Sequence, residues 1–256
     1  MSVRPRRALA AGVVPLTVAL ALAGCGSEKQ PADAGSRSKA SASSSSTTTT
    51  KAEPPSASSL YAQARKTALG AESGHIAGQM TDEGDTITID LAGTVDGTNQ
   101  SLELGQGADS KITILTVGGK NYLSATEDFW ADQVGAGPAK TLQNKFVILP
   151  AAQAKEFGDL TIKSLLTEMF EDKELSVLDS ANTRVEKTTI DGADAWKLTE
   201  RTGGDGAVLV VSADDKATLL RIEGPKDSPG RLDFSEWDKV PAVTVPAPGK
   251  VIELPK

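Results

Sequence analysis

The single cysteine of this chain, Cys25, is the feature that most constrains what the protein can fold into. It directly follows Leu22-Ala23-Gly24, and three arginines stand among the first seven residues, before an uncharged run from residue 8 to residue 23. This order is that of a secretory signal, and the run is too short and too alanine-rich for a transmembrane helix. Small residues directly before the cysteine are typical of a bacterial lipobox. The alternative is a lone buried cysteine within an ordinary signal.

The lipobox interpretation predicts a lipid anchor. The thiol of Cys25 receives a diacylglyceryl group, the signal is cut before Cys25, and a further acyl chain on the new amino terminus makes the attachment stable. No thiol is then left, so disulfides, zinc–thiolate sites and a cysteine nucleophile are excluded in the mature protein. We expect the protein on the outer face of the cell membrane, attached through Cys25.

The charge of the chain argues against nucleic acid as a partner. The formal net charge is −7, and it includes three arginines of the signal, so the mature chain is near −10. An acidic surface disfavours binding to nucleic acid and to anionic lipid head groups. The membrane attachment is therefore assigned to the lipid on Cys25 and not to a basic patch.

Composition divides the chain into three parts. Residues 1–24 are the signal peptide. Residues 25–59 hold the lipidated cysteine and a segment of Ser, Thr, Ala and Pro that has too little apolar surface to fold, so it is predicted to be a disordered tether. Residues 60–256 have the composition of one globular domain.

Alternating patterns predict two antiparallel meanders in the folded part. In the first, Ile87, Ile89 and Leu91 share one strand face, and Asp96-Gly97 and Gly118-Gly119 are turn sequences. The second begins near Arg184 and contains the continuously apolar stretch from Ala207 to Val211. The short connections favour antiparallel pairing.

A helix from Thr161 to Glu171 is the clearest of the helices predicted between the meanders. Asp159 is placed to cap it, just as Ser58 or Ser59 is placed to cap an earlier helix that ends at Gly70. Its apolar side chains recur at helical spacing and form one stripe. The stripe consists of Ile162, Leu165, Leu166, Met169 and Phe170.

These elements predict an α+β fold with a curved antiparallel sheet and helices on its concave side. The stripe, together with Val208 and Val210 of the apolar strand, is the candidate lining of either a cavity or a core. An apolar interior of this kind can enclose a lipid. A fully packed core explains the same pattern, and periodicity alone favours the packed core.

Catalytic chemistry is not predicted. His75 is the only histidine, and no Gly-x-Ser-x-Gly motif accompanies it, so no triad or metal site can be assembled from motifs. The acidic turns at Asp82 to Asp85 and at Asp214-Asp215 do not match a calcium loop. We expect neither a cofactor nor a metal.

Several short motifs in order resemble the LppX/LprAFG lipoproteins of actinobacteria. They are Gly119-Lys120-Asn121-Tyr122-Leu123, Phe129-Trp130, Lys145-Phe146-Val147, Asp191-Gly192-Ala193-Asp194-Ala195-Trp196-Lys197-Leu198, Leu219-Leu220-Arg221-Ile222 and Asp233-Phe234-Ser235. The resemblance covers nearly all of the folded part. It implies a LolA/LolB-like fold, in which a half-barrel sheet surrounds helices and an apolar cavity.

The resemblance also implies a function. Better-known members of that family bind lipids or acylated glycolipids and move them across the envelope without catalysis, so lipid or lipoglycan is the expected ligand. Two other interpretations remain open. An accessory or sensory lipoprotein would present a surface to a membrane or cell-wall partner, with a filled core and an exposed apolar patch. A hydrolase would need carboxylates such as Glu168 and Glu171 in a shared cleft.

Overall fold

We analysed the protein as a computed structural model. It describes residues 54–82, 85–107, 110–201 and 205–253. Within these ranges, the side chains of six residues are not described: Asp82, Ala151, Ala152, Lys155, Glu156 and Glu174. Cys25, the signal and most of the predicted tether therefore lie outside the described residues, as do Glu83, Gly84 and the three residues at 254–256.

The described chain has two runs of five consecutive strands, and most of its helices lie between these runs. The helices are α1 (Ala57–Leu69), α2 (Glu127–Val134), α3 (Ala136–Leu142), α4 (Ala151–Gly158), α5 (Ile162–Glu171) and α6 (Lys173–Ser176), with a 3-10 turn at Pro248–Lys250. The strands are β1 (Ser73–Asp82), β2 (Asp85–Thr94), β3 (Gln100–Gln106), β4 (Ser110–Val117), β5 (Lys120–Ala125), β6 (Phe146–Ile148), β7 (Thr183–Ile190), β8 (Ala193–Glu200), β9 (Val208–Ser212), β10 (Leu219–Glu223), β11 (Gly230–Ser235) and β12 (Val251–Ile252).

All twelve strands form a single sheet in the order β12-β6-β5-β4-β3-β2-β1-β11-β10-β9-β8-β7. The two predicted meanders are therefore halves of one sheet, and they meet where β1 pairs with β11 in antiparallel fashion. The predicted α+β fold with helices against a large antiparallel sheet is confirmed. Positive φ angles at Gly97, Gly118 and Gly119 also confirm the turns that were predicted there.

One face of the sheet, which we call the inner face, carries the core. Successive register partners on it are apolar from one edge nearly to the other. The row consists of Val147, Leu123, Ile114, Leu102, Leu91, Ile76 and Phe234, and it continues two residues along β11 through Leu232, Ile222, Leu209 and Leu198. Buried side chains of α1, α2, α3 and α5 belong to the same core.

Two predicted helix caps were wrong, and one helix was not predicted. Ser56, not Ser58 or Ser59, caps α1, because its hydroxyl accepts a hydrogen bond from the amide of Ser59. Thr161, not Asp159, caps α5 in the same way through the amide of Ser164. Asp159 instead ends the preceding helix α4, which begins directly after Pro150 and was not predicted from the sequence.

The last strand also departs from the antiparallel expectation. β12 pairs with β6 in parallel, Val251 beside Phe146 and Ile252 beside Val147. The chain between β11 and β12 is long enough to cross from the middle of the sheet to its edge and return in the direction of β6. Asn99 fixes this crossing, since its side chain exchanges two hydrogen bonds with the backbone of Val243, at 2.7 and 2.9 Å.

Candidate apolar site between helix α5 and the sheet

Helix α5 lies against the inner face of β2, held at its first turn by the β2–β3 connection. The amide of Lys163 donates to the carbonyl of Val95 at 2.9 Å, and the side-chain amide of Gln100 donates to the carbonyl of Leu160 at 2.7 Å. The methyl of Thr161 packs directly over Gly97, where a Cβ would collide with it. The start of α5 is thus fixed over the sheet.

The far end of α5 is fixed by helix α1. The hydroxyl of Tyr61 donates to the carbonyl of Phe170 at 2.8 Å, and the two rings meet edge to face with centroids 5.4 Å apart. Burial raises the pKa of the Tyr61 hydroxyl above its ordinary value. Arg65 and Glu171 add an exposed ion pair at 3.6 Å, which contributes little to stability.

Between these two attachments, α5 and the sheet leave an apolar crevice of about 70 Å³. Its floor is formed by Ile89 and Leu91 of β2 and by Leu102 and Leu104 of β3. Leu165 of α5 covers it, and the exposed Leu160 stands at its edge. Polar groups complete the rim: Asp159, Thr161, Ser164 and Glu168.

The crevice exists because the helices do not cover the whole inner face. Leu91 and Leu102 are 1% and 2% exposed. The next residues on the same strand face, Ile89 and Leu104, are only half-buried. Ile112, the register partner of Leu104 on β4, is half-buried too. An apolar row thus extends beyond the helical cover on β2, β3 and β4.

The structure divides the predicted stripe of α5 into two groups. Ile162, Leu166 and Phe170 are buried in the core, the first two completely. Leu165 lines the crevice, and Met169 packs half-buried against the core. Of the five stripe residues, Leu165 is the one placed on the candidate site.

On β9, the predicted lining residues Val208 and Val210 do not belong to the main core cluster, although Val210 is buried. Leu209 and Val211 belong to the core on the inner face, so the alternation of a strand places Val208 and Val210 on the outer face. There Val210 pairs with Arg221 of β10 and Lys197 of β8. The sequence of this strand does not show which face is inward, because its residues from Val208 to Val211 are all apolar, and Val210 on the outer face is buried as well.

A wide groove of about 690 Å³ on the described surface contains a cluster of paired charges. Asp233 binds two arginines there, Arg221 at 2.6 Å and Arg231 at 2.8 Å. Burial alone would raise the pKa of Asp233, but the hydrogen bonds and charges of the arginines outweigh it, and the pKa lies below its ordinary value. Because the charges of Asp233, Arg221 and Arg231 are already paired, and the groove is wide and open, it is a less suitable site for an acyl chain than the smaller apolar crevice.

The outer face also brings a serine, a histidine and a carboxylate together. Nε2 of His75 lies 2.9 Å from Asp90, and Nδ1 lies 3.4 Å from the hydroxyl of Ser235. The three side chains stand on adjacent strands of an open sheet surface, as a cross-strand polar ladder. Among the described residues, no cluster of His, Cys, Asp or Glu could hold a metal ion.

The floor of the crevice was missed as part of a site, although its alternation was recognised. The sequence pattern predicts two amphipathic strands and identifies their buried face, which carries Ile89, Leu91, Leu102 and Leu104. The pattern does not show that α5 packs over β2 and β3. That placement depends on Val95 and Gln100, whose hydrogen bonds to α5 and its leading loop join residues about 60 positions apart.

No protein family and no curated protein matches this chain in sequence. Solved structures that resemble it include LprF from Mycobacterium bovis, with 14% identity, a TM-score of 0.46, and coverage of 75% of this chain and 96% of that one. The lipoprotein LppX from Mycobacterium tuberculosis has 15% identity and a TM-score of 0.46, over 73% of this chain and 98% of that one. These are lipoproteins of the group that the sequence motifs resemble. In the described part of this chain, no helix is long and apolar enough to cross a membrane.

Proposed function

We propose that the protein is a non-enzymatic lipoprotein, anchored through Cys25 to the outer face of the cell membrane, that binds a lipid or lipoglycan and carries it within the envelope. The observation that carries the proposal is the apolar crevice between α5 and the half-buried row on β2 and β3. Apolar surface left at the edge of a core is a place where an acyl chain gains burial. The motif resemblance supports the same ligand class.

The size of the crevice sets a condition on this function. About 70 Å³ is well below the several hundred Å³ typical of a ligand site, so a lipid enters only if the crevice widens. The half-buried Leu165 and the exposed Leu160 are the side chains that have room to turn outward. We expect widening at this edge, because Ile162 and Leu166 on the same helix are fully enclosed by the core.

Native mass spectrometry of the full mature chain tests the proposal. Cys25→Ala removes the anchor, so any lipid then found with the protein is a ligand. We expect co-purified lipid in this variant, and we expect Leu165→Trp to remove it by filling the crevice. Val185→Trp on the far strand β7 is a matched control and should keep the lipid. Recovery of an entirely lipid-free Cys25→Ala protein, which also takes up no added lipid, would rule out the carrier function.

The small crevice volume also favours a second function, that of an accessory lipoprotein that presents a surface to a membrane or cell-wall partner. On this alternative the core is complete as it stands and no ligand enters. The two functions differ in the response to Leu165→Trp. A carrier loses lipid uptake in that variant, whereas an accessory protein has no uptake to lose.

The anchor has its own test. Cys25→Ala should release the mature protein from the membrane fraction into the medium, while the neighbouring control Ser27→Ala should stay in the membrane pellet. If the signal-processed, monomeric Cys25→Ala protein still pelleted with membranes, the lipobox interpretation would be wrong.

A further inference from the structure

We infer that the crevice selects lipids whose head group carries no negative charge, an inference that rests on the proposed lipid-binding function. The observation behind it is the composition of the rim. Asp159 and Glu168 are both exposed carboxylates, and both line the crevice. Among the described residues that line the crevice, none is Lys, Arg or His.

A lipid seated with its chain on the floor places its head group at this rim. The floor and its cover, Leu91, Leu102 and Leu165, hold no polar side chain, so the chain occupies that end and the head remains at the edge. The rim offers two hydroxyls, on Thr161 and Ser164, and the two carboxylates. Hydroxyls bind a neutral head group, and carboxylates repel a phosphate.

The nearest cation on α5, Lys163, is not part of the crevice lining but shares an exposed groove with Ser164 and Glu168. It is one positive charge against the two carboxylates of the rim. Lys163 is exposed and lies near Asp96. Hydrogen bonds from Thr98 and Thr94 hold the pKa of Asp96 below its ordinary value, and the charge of Lys163 adds a minor contribution. Asp96 is in turn a further negative charge close to the start of α5. The charges around the entrance therefore favour cations and neutral groups over anions.

The size of the effect follows from Coulomb's law. Each carboxylate at roughly 5 Å from a phosphate in water contributes a repulsion that lowers affinity about fourfold, and the two together lower it on the order of tenfold. The discrimination should shrink as salt is added, because exposed charges are screened over about 8 Å at physiological ionic strength.

The test compares three lipids that have the same dioleoyl chains but different head groups. They are the neutral dioleoylglycerol, the cationic dioleoyl-trimethylammonium-propane and the anionic dioleoyl-phosphatidylglycerol. Each is used to displace a pyrene-labelled diacylglycerol from the full mature chain carrying Cys25→Ala, at low salt. We expect the neutral and cationic lipids to displace the probe at about one tenth of the concentration needed for phosphatidylglycerol. Asp159→Asn combined with Glu168→Gln should remove most of this difference.

The control variant is Glu186→Gln, which changes the net charge by one at the exposed outer face of β7, remote from α5 in the sheet order. It should leave the preference intact, whereas an effect of overall charge would weaken it. Displacement by phosphatidylglycerol as readily as by dioleoylglycerol would overturn the head-group inference and leave lipid binding standing. A parent protein that binds neither the probe nor any of the three lipids would overturn both.

Discussion

The two halves of the sheet differ in how completely helices cover them. On β8, β9 and β10 the inner side chains Leu198, Leu209 and Leu219 are completely buried, and α1 lies over this half. On β2, β3 and β4 the cover stops one row short, and Ile89, Leu104 and Ile112 stay half-buried. One half is therefore a completely covered core, and the other leaves apolar surface at which we propose that a ligand binds.

Removing a core side chain from the covered half should give the largest effect. Leu209→Ala deletes a completely buried side chain and leaves a cavity, so we expect a loss of about 3 kcal/mol in the free energy of unfolding. Leu104→Ala in the open half should cost only about 1 kcal/mol, since that side chain is half-exposed already. Urea denaturation of the two variants measures both values, and equal losses would contradict the division.

Adding volume to α5 should distinguish the core from the crevice within one helix. Leu166→Trp overfills a packed core and should cost about 1–3 kcal/mol. Leu165→Trp places the indole in the crevice and should leave stability within about 0.5 kcal/mol while lipid uptake falls. Thermal unfolding and displacement of a fluorescent lipid, measured on the same samples, check the pair. A Leu165→Trp protein as unstable as Leu166→Trp would mean that the crevice is core.

The attachment of α5 to the open half depends on its cap. Thr161→Ala removes the hydroxyl that accepts from the amide of Ser164 at 3.0 Å, so we expect a loss of about 1 kcal/mol. Thr161→Ser keeps the oxygen and should restore most of the stability. Asp159→Ala should lower the free energy of unfolding less than Thr161→Ala does. The reverse order in urea denaturation would mean that Asp159 caps the helix.

The smallest effect is expected from the charges of the covered half at low pH. The folded pKa of Asp233 lies below that of the unfolded chain, so its ion pairs contribute stability above the unfolded value near pH 4 and lose it as the pH falls through the folded pKa. Asp233→Asn should therefore be less stable than the parent at pH 7 and should lose less stability on acidification. Melting temperatures from pH 7 to pH 2 test this, and parallel curves would exclude the contribution.

The sequence was sufficient for those elements whose signals are local, although helix α4 was not predicted. Alternation in β2, helical spacing in α5 and glycines at turns such as Gly118-Gly119 each depend on neighbouring residues, and all three predictions are confirmed. The predicted elements also led to the α+β arrangement, but periodicity alone favoured a packed core. The motif resemblance is what implied a cavity.

The candidate site was only partly predictable, because it is made by contacts between distant segments. The stripe of α5 is visible in the sequence, but Leu165 and Leu166 look alike until the sheet beneath them is placed. Likewise Val210 and Leu209 are equally apolar, and only the register with Arg221 and Ile222 separates the outer face from the inner one.

The central claim is that lipid enters over the open half of the sheet, and photo-crosslinking tests it most directly. A dioleoylglycerol with a diazirine in one acyl chain is bound to the mature Cys25→Ala chain, irradiated, and its attachment sites are mapped by peptide mass spectrometry. We expect labels on β2, β3 and α5, at residues such as Ile89, Leu104 and Leu165. An excess of unlabelled lipid should suppress this labelling. Labels confined to β8, β9 and β10, or to the outer face around Val210, would contradict it.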